Sequence, residues 1–224
     1  MKKKVVLLLF LFCCIWGIQV KASQQSLNIT SKNTINNTKK VDINIKSPEV
    51  QSNDKIVNNI FNKINSDIKS WADKLINEAN SDQFGAKYEV NSSFHVPYNA
   101  NGLLSLNIMN YYYAGGAHGL SNLKSYNYDI KTGAELTLKE FFVDGYDYKS
   151  FINAKIRKYI AADKDTYFSG GADFKGINDN QEFYISNDGI TVYFQVYEIA
   201  PYASGIRSFL IPKAEISNNL KIKF

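Results

Sequence analysis

The 224 residues are 45% hydrophobic and 21% charged with a formal net charge of +5, the profile of an ordinary globular protein, which excludes a disordered or collagen-like chain. The positive balance sits at the start: taking Lys2, Lys3, Lys4 and Lys21 from the 26 basic residues leaves 22 against 21 acidic ones, a net of +1. No basic run beyond Lys39-Lys40 remains, which excludes a non-specific nucleic-acid binder, since that function needs a concentrated cationic surface.

Met1 to Lys4 lead into the apolar run Val5 to Ile18, too short to span a bilayer comfortably, and then into Val20-Lys21-Ala22. This is the layout of a cleavable secretory signal over residues 1–22, cut before Ser23. Lipid attachment at Cys13 or Cys14 is disfavoured because bulky Leu11 and Phe12 stand where small residues are needed. Both cysteines leave with the leader, so no disulfide, thiol nucleophile or cysteine-based zinc site is expected in the mature chain. The expected location is secreted or cell-surface associated, with no stable membrane insertion after cleavage.

Ser23 to Lys40 is polar, without a sustained period, and reads as a flexible tether. Val41, Ile43 and Ile45 alternate with polar residues until Pro48, the pattern of a strand at or near an edge. Val57, Ile60, Phe61, Ile64, Ile68, Trp71 and Leu75 then form one apolar stripe about six turns long, predicting a helix over about 54–79 that lies along a sheet. Period-two segments follow: Ala86 to Val96, then Leu104, Leu106 and Ile108 toward Tyr111-Tyr112-Tyr113, and, after Ala114 to Gly119, a third strand from Tyr126. Lys131-Thr132-Gly133 makes a turn, and Thr137 with Glu140 has capping-box spacing.

Phe151, Ile152, Ile156, Tyr159 and Ile160 mark a second helix from Asp147 or Tyr148 to Ala162. After a Gly- and Asp-rich loop, Asn187-Asp188-Gly189 signals a hairpin between Glu182 to Ser186 and Ile190 to Val196. Tyr197 to Gly205 breaks that strand, and Ile206 to Ile211 closes the set. The expected fold is α+β, with two small subdomains over residues 41–136 and 137–224, each a mainly antiparallel sheet packed on a helix.

Ser66-x-x-Lys69, Ser105-x-Asn107 and Lys131-Thr132-Gly133 match, in order, the motifs of penicillin-recognising serine enzymes. Ser66 and Lys69 lie on the polar side of a regular helix, whereas an activated serine needs a desolvated setting and a lysine of lowered pKa, so this reading is rejected. His118 and His95 are the only histidines, a poor inventory for metal or acid–base work. Between Gly116 and Gly119, His118 is expected first to lock a tight turn by hydrogen-bonding to backbone, and second to touch a ligand. No catalytic residue, metal or cofactor is assigned. The candidate binding set is Tyr112, Tyr113, His118, Tyr197, Glu198 and Tyr202, whose rings near strand ends suit a sugar or a protein interface as well as plain sheet packing.

The stretches YYAGGAHG, NYDIKTGAELTLKEFF and FYISNDGITVYFQVYEIAPYASGIRSFLIP resemble a bacterial extracellular module, found in lysozyme-sensing anti-sigma factors of the RsiV type and ahead of the catalytic domain in peptidoglycan deacetylases of the PdaC type. The resemblance covers about residues 41–217 and implies an α+β surface module without catalytic activity of its own, which in the anti-sigma member binds lysozyme. Only Met1 to Lys4 precede the apolar run and 12 residues follow Pro212, so neither a sigma-binding region nor a deacetylase domain is expected. The expected function is an exported, non-enzymatic binding module of the cell envelope whose ligand is a lysozyme-like muramidase or peptidoglycan. The alternative is a cell-wall-active enzyme, a peptidoglycan hydrolase or deacetylase accessory, using a carboxylate such as Glu198 in the Tyr197–Gly205 segment, or Asp188.

Overall fold

The computed structural model describes residues 26–224; the leader expected over 1–22 lies outside the described residues. Strands β1 (Ile29–Asn37) and β2 (Val41–Val50) form an antiparallel hairpin, paired at every position from Ile29↔Val50 to Asn37↔Asp42. The tether expectation for residues 23–40 is therefore corrected over Ile29–Asn37. All but the first residue of β1 are exposed, so the strand carries no hydrophobic period and is held by its backbone ladder. The Thr38 hydroxyl closes the turn, accepting from the backbone N–H of Val41 at 2.9 Å and of Lys40 at 3.2 Å. Pro48 does not end β2: beyond Ile45 the strand pairs only with β1, so the missing N–H there faces no second ladder.

Helix α1 (Lys55–Ser81) begins where the side chain of Asp54 accepts from the Ile56 N–H at 2.7 Å, and its stripe from Val57 to Ala79 is buried. Its outer face carries i,i+4 pairs, among them Lys63–Asp67 and Lys74–Glu78. The helix returns the chain to the end at which β2 starts, so β3 (Tyr88–Ala100) runs parallel to β2, while β4 (Leu103–Tyr113) and β5 (Leu120–Asp129) add antiparallel neighbours. The result is a mixed sheet in the order β1-β2-β3-β4-β5. Asn101 (φ 55) and Gly102 (φ 80) make the tight β3–β4 turn, both in the left-handed region that such turns require.

In the second half, the Glu140 carboxylate accepts from both the N–H (2.7 Å) and hydroxyl (2.8 Å) of Thr137 around a 3-10 turn. Helix α2 (Tyr148–Ala162) buries Ile152, Ile156 and Ile160 against strands β6 (Phe183–Ser186), β7 (Gly189–Phe194) and β8 (Arg207–Pro212), an antiparallel sheet in that order, followed by the short helix α3 (Lys213–Ile216). Gly189 is required at the β6–β7 turn, where a Cβ would lie 2.1 Å from the carbonyl oxygen of Ile211. The α+β reading with two sheets, each carrying a helix, is thus the observed architecture. The two cores interlock across residue 137: Tyr98, Ala100 and Leu103 from the β3–β4 hairpin belong to the second core, where the Tyr98 and Phe224 rings meet edge to face at 5.9 Å.

The first sheet has two unlike buried faces. Even-numbered residues of β4 and β5 (Leu104, Leu106, Ile108, Tyr126, Tyr128) meet α1. Odd-numbered ones (Ser105, Asn107, Asn127) are polar yet buried beneath the second half. Cross-strand partners Ser105 and Asn127 hydrogen-bond at 2.7 Å; Asn127 Nδ2 then donates to the Phe183 carbonyl at 2.8 Å, and Ser105 Oγ accepts from the Ile185 N–H at 3.3 Å. Asn127→Ala is expected to lower the unfolding free energy by about 1–3 kcal/mol, because in the interior the Ser105 O–H loses its acceptor and the Phe183 carbonyl loses the Asn127 donor. The loss in the Ser105→Ala/Asn127→Ala double variant should fall short of the sum of the two singles, measured by urea unfolding.

Candidate functional site

The β4–β5 loop and the Tyr197–Gly205 segment come from different halves and meet at one end of the first sheet. Gly115 (φ 82) and Gly116 (φ 108) let the loop fold back, and the Tyr113 hydroxyl donates to the Gly116 carbonyl at 2.9 Å. The His118 ring lies flat on Tyr202, with centroids 3.8 Å apart and planes 19° from parallel. The Tyr202 hydroxyl donates to the Gly119 carbonyl at 2.9 Å, and His118 Nδ1 lies 3.0 Å from the same oxygen. Tyr197, 49% exposed and held at φ 69, places its hydroxyl 3.3 Å from His118 Nε2. A carbonyl at Nδ1 and a hydroxyl at Nε2 fit a neutral imidazole protonated at Nδ1, which accepts from Tyr197. The cluster is a rigid aromatic surface with an exposed ring at its rim.

His118, Tyr197 and Tyr202 therefore converge, with Tyr113 bracing the loop beside them. Tyr112 does not join them: its side chain packs against the α1 core, because its even position on β4 faces the helix. Glu198 is exposed and closes its own turn, accepting from the Gln195 N–H at 2.8 Å, so no cleft holds it. Asp188 likewise lies exposed in the β6–β7 turn. Two residues outside the expected set complete the cluster. Tyr111 lies over Gly119 so closely that a Cβ there would be 2.3 Å from its phenol oxygen, and the odd position of Tyr111 on β4 was the available signal. The serine-enzyme motifs are scattered: Ser66 is exposed on α1, Lys69 pairs with Asp73, and Ser105 is fully buried on the opposite face of the sheet.

Further along the seam, the Gln195 side-chain amide imitates a strand. Its Oε1 accepts from the Leu123 N–H at 3.1 Å and its Nε2 donates to the Leu123 carbonyl at 2.7 Å, while the Tyr193 hydroxyl reaches that carbonyl at 3.3 Å. Gln195 Nε2 also donates to Glu182, a half-buried carboxyl. Burial pushes the Glu182 pKa up; the Gln195 hydrogen bond and Lys124 oppose the shift, and nearby Glu198 adds to it. The same junction raises the Tyr193 phenol, chiefly by burial.

Gly119→Ala is expected to displace Tyr111 and loosen the His118–Tyr202 stack, seen as loss of ring-current shifts on the His118 ring protons. Glu182 generates a prediction of opposite sense. Because its folded pKa lies above the unfolded value, the native state binds the proton more tightly, so stability from this group is present at low pH and is lost as pH rises through the window between the two values. Glu182→Gln should keep the Gln195 contact, raise the melting temperature near neutrality, and flatten its fall across that window.

The chain is similar to proteins of known sequence and structure. Residues 34–121 match the family model for the deacetylase PdaC, and residues 139–214 match that of a protein family of unknown function, DUF3298. The peptidoglycan-N-acetylmuramic acid deacetylase PdaC of Bacillus subtilis (strain 168) is 27% identical over 175 residues, covering 72% of this chain and 37% of the relative. The chain thus spans little more than a third of that protein. A DUF3298 member from Bacteroides fragilis superposes with a TM-score of 0.63 at 21% identity, covering 89% of this chain and 96% of that one. One from Pseudomonas aeruginosa gives 0.67 at 16% identity, with 88% and 96% covered. At these identities the solved structures show a shared fold. In chain order, then, the protein resembles the deacetylase PdaC in its first half and DUF3298 in its second, and it shares its fold with solved DUF3298 proteins.

Proposed function

We propose that the chain is an exported, non-enzymatic binding module of the bacterial cell envelope, with the glycan of peptidoglycan as its ligand. The observation that carries this reading is the His118–Tyr202 stack with half-exposed Tyr197 beside it, a preformed surface on which the apolar face of a sugar can rest while the phenol and imidazole edges bond its hydroxyls. The peptidoglycan substrate in the name of the Bacillus subtilis relative supports the choice of glycan. The leader-like first 22 residues support export, and among the described residues no helix is long and apolar enough to cross a membrane. The enzyme alternative asks Glu198 to act with a second carboxyl about 5–10 Å away. That carboxylate instead stays exposed and bonded to its own turn, which favours binding over hydrolysis.

A lysozyme-like protein is the second reading, favoured by Phe84. This ring is 97% exposed in the loop whose Ala86 lies against Gly115, beside the same β4–β5 hairpin. A hydrophobic ring of that exposure is a ready anchor for a protein surface.

Co-sedimentation with purified peptidoglycan separates the readings. Tyr202→Ala and Tyr197→Ala should each weaken retention about five- to tenfold, the size of one lost aromatic contact. Phe84→Ala should leave it unchanged. Unaltered retention in both tyrosine variants removes the glycan reading. Calorimetric binding of lysozyme that Phe84→Ala abolishes, with no retention on walls, replaces it with the second.

A further inference from the structure

One helix cannot cover a five-stranded sheet: the strands span about 19 Å at their usual spacing, and a helix with its side chains is about 10 Å wide. Helix α1 lies chiefly over β2 and β3, and beside it, along β4 and β5, a groove of about 480 Å³ stays open. The sequence changes where the cover ends. On the α1-facing side, the cross-strand pair Leu106↔Tyr126 is followed by Ile108↔Lys124 and then by the wholly polar Asn110↔Asn122. From α1 the groove receives Trp71 and Lys74. Trp71 is the one member of the apolar stripe from Val57 to Leu75 that is not buried; its side chain packs against the first core and borders the groove.

Asn110, 9% exposed, accepts at Oδ1 from the Ser92 hydroxyl at 2.7 Å. That bond orients the amide, and its Nδ2 has no partner among the described residues while keeping access to solvent. Lys124 holds its ammonium over the Tyr126 ring at 5.7 Å. It favours the charged form of Glu182 across the seam, yet forms no ion pair among the described residues. Lys74 has a weak i,i+4 contact with Glu78 at 3.8 Å on the exposed helix surface. The one carboxylate lining the groove, Asp67, is already held by the Tyr126 hydroxyl at 2.9 Å and by Lys63 at 3.3 Å. The groove thus combines an indole, two amides and a positive charge that no carboxylate neutralises. An indole supports the apolar face of a sugar, amides bond its hydroxyl or acyl groups, and one free ammonium matches a single negative charge better than the nearly two of a phosphate. The volume lies within the range of about 300–1,000 Å³ usual for small-ligand sites.

We propose that this groove binds a sugar that carries a carboxylate, with Trp71 under the ring, Asn110 and Asn122 on its polar edge and Lys124 on the acid group. The preference for an acid comes from these side chains alone; only the choice of a wall sugar as its carrier rests on the envelope reading above. A neutral sugar of the same shape leaves the ammonium unpaired and is held less tightly.

Two matched pairs of sugars, titrated into the whole protein and followed by NMR, test this: N-acetylmuramic acid with N-acetylglucosamine, and methyl glucuronide with methyl glucoside. In at least one pair the acidic sugar should bind about tenfold more tightly than its neutral partner and shift the Trp71 indole and Asn110 side-chain amide signals. The pair that does so identifies the carrier of the carboxylate. Lys124→Gln should abolish the preference, whereas Lys158→Gln, which removes an exposed lysine of α2, should keep it. Equal binding within both pairs, an unchanged preference in Lys124→Gln, or shifts that bypass Trp71 and Asn110 overturn the proposal. Glucose 6-phosphate binding more tightly than either acidic sugar overturns the carboxylate assignment. Silence toward all four sugars in a protein that still sediments with peptidoglycan overturns this inference alone. A preference for the acidic sugar in a protein that cell walls do not retain leaves it standing and removes the glycan reading.

Discussion

The Ser105–Asn127 pair is the contact on which the arrangement of the two halves depends. Both side chains lie on the face of the first sheet away from α1, both are buried, and each reaches across to the backbone of β6. Apolar residues at these two positions would bury as well, but they would leave the Phe183 carbonyl and the Ile185 N–H to find partners elsewhere. The hydroxyl–amide pair fixes the register of β6 on β4 and β5, because only one alignment satisfies all four groups. From that point the seam runs along β5 through Leu123, bonded by the Gln195 amide, to Gly119, bonded by Tyr202.

The same seam explains where the candidate site lies. On the α1 side, apolar side chains of β2 to β5 pack against the helix, with the Ser92–Asn110 hydrogen bond, 2.7 Å, buried among them. On the other side, side-chain amides and phenols substitute for strand backbone, and such bonds demand geometry that apolar packing does not. Where the geometry closes, as at Gln195, the joint is rigid. Where it does not, as at Gln181 Oε1, a buried polar atom is left without a partner. The aromatic cluster at the end of the seam follows a related logic: Gly119 has no side chain, so Tyr111 and Tyr202 can close on it from two sides.

Much of the fold was legible in the sequence. The stripe from Val57 to Leu75 and the period from Ile152 to Ile160 report burial against a sheet, and Asn187-Asp188-Gly189 reports a turn only a left-handed or extended glycine completes. Strand β1 escaped because burial, which writes hydrophobic periods into sequence, scarcely touches it; only its ladder with β2 makes it a strand. The candidate site was legible in its parts. His118, Tyr197 and Tyr202 stood out as aromatic or glycine-flanked residues in loops, yet Tyr111 and Tyr112 are chemically identical neighbours, and only strand parity sends one to the seam and the other to the α1 core. Glu198 looked available because sequence does not reveal that its carboxylate turns back onto the Gln195 N–H three residues earlier.

By itself, the sequence determined the class of fold, the long helix, the hairpin turns, the near-neutral charge once the first 22 residues are set aside, and the resemblance to an extracellular module. These rest on local propensity, periodicity and composition, which are properties of neighbouring residues. The tertiary structure alone decided that Ser105 and Asn127 join the halves, that His118 stacks on Tyr202 from 84 positions away, and that the Gln195 amide bonds the backbone of Leu123. Those are contacts between residues far apart in the chain, and no local pattern encodes which polar groups will find one another once two cores have closed.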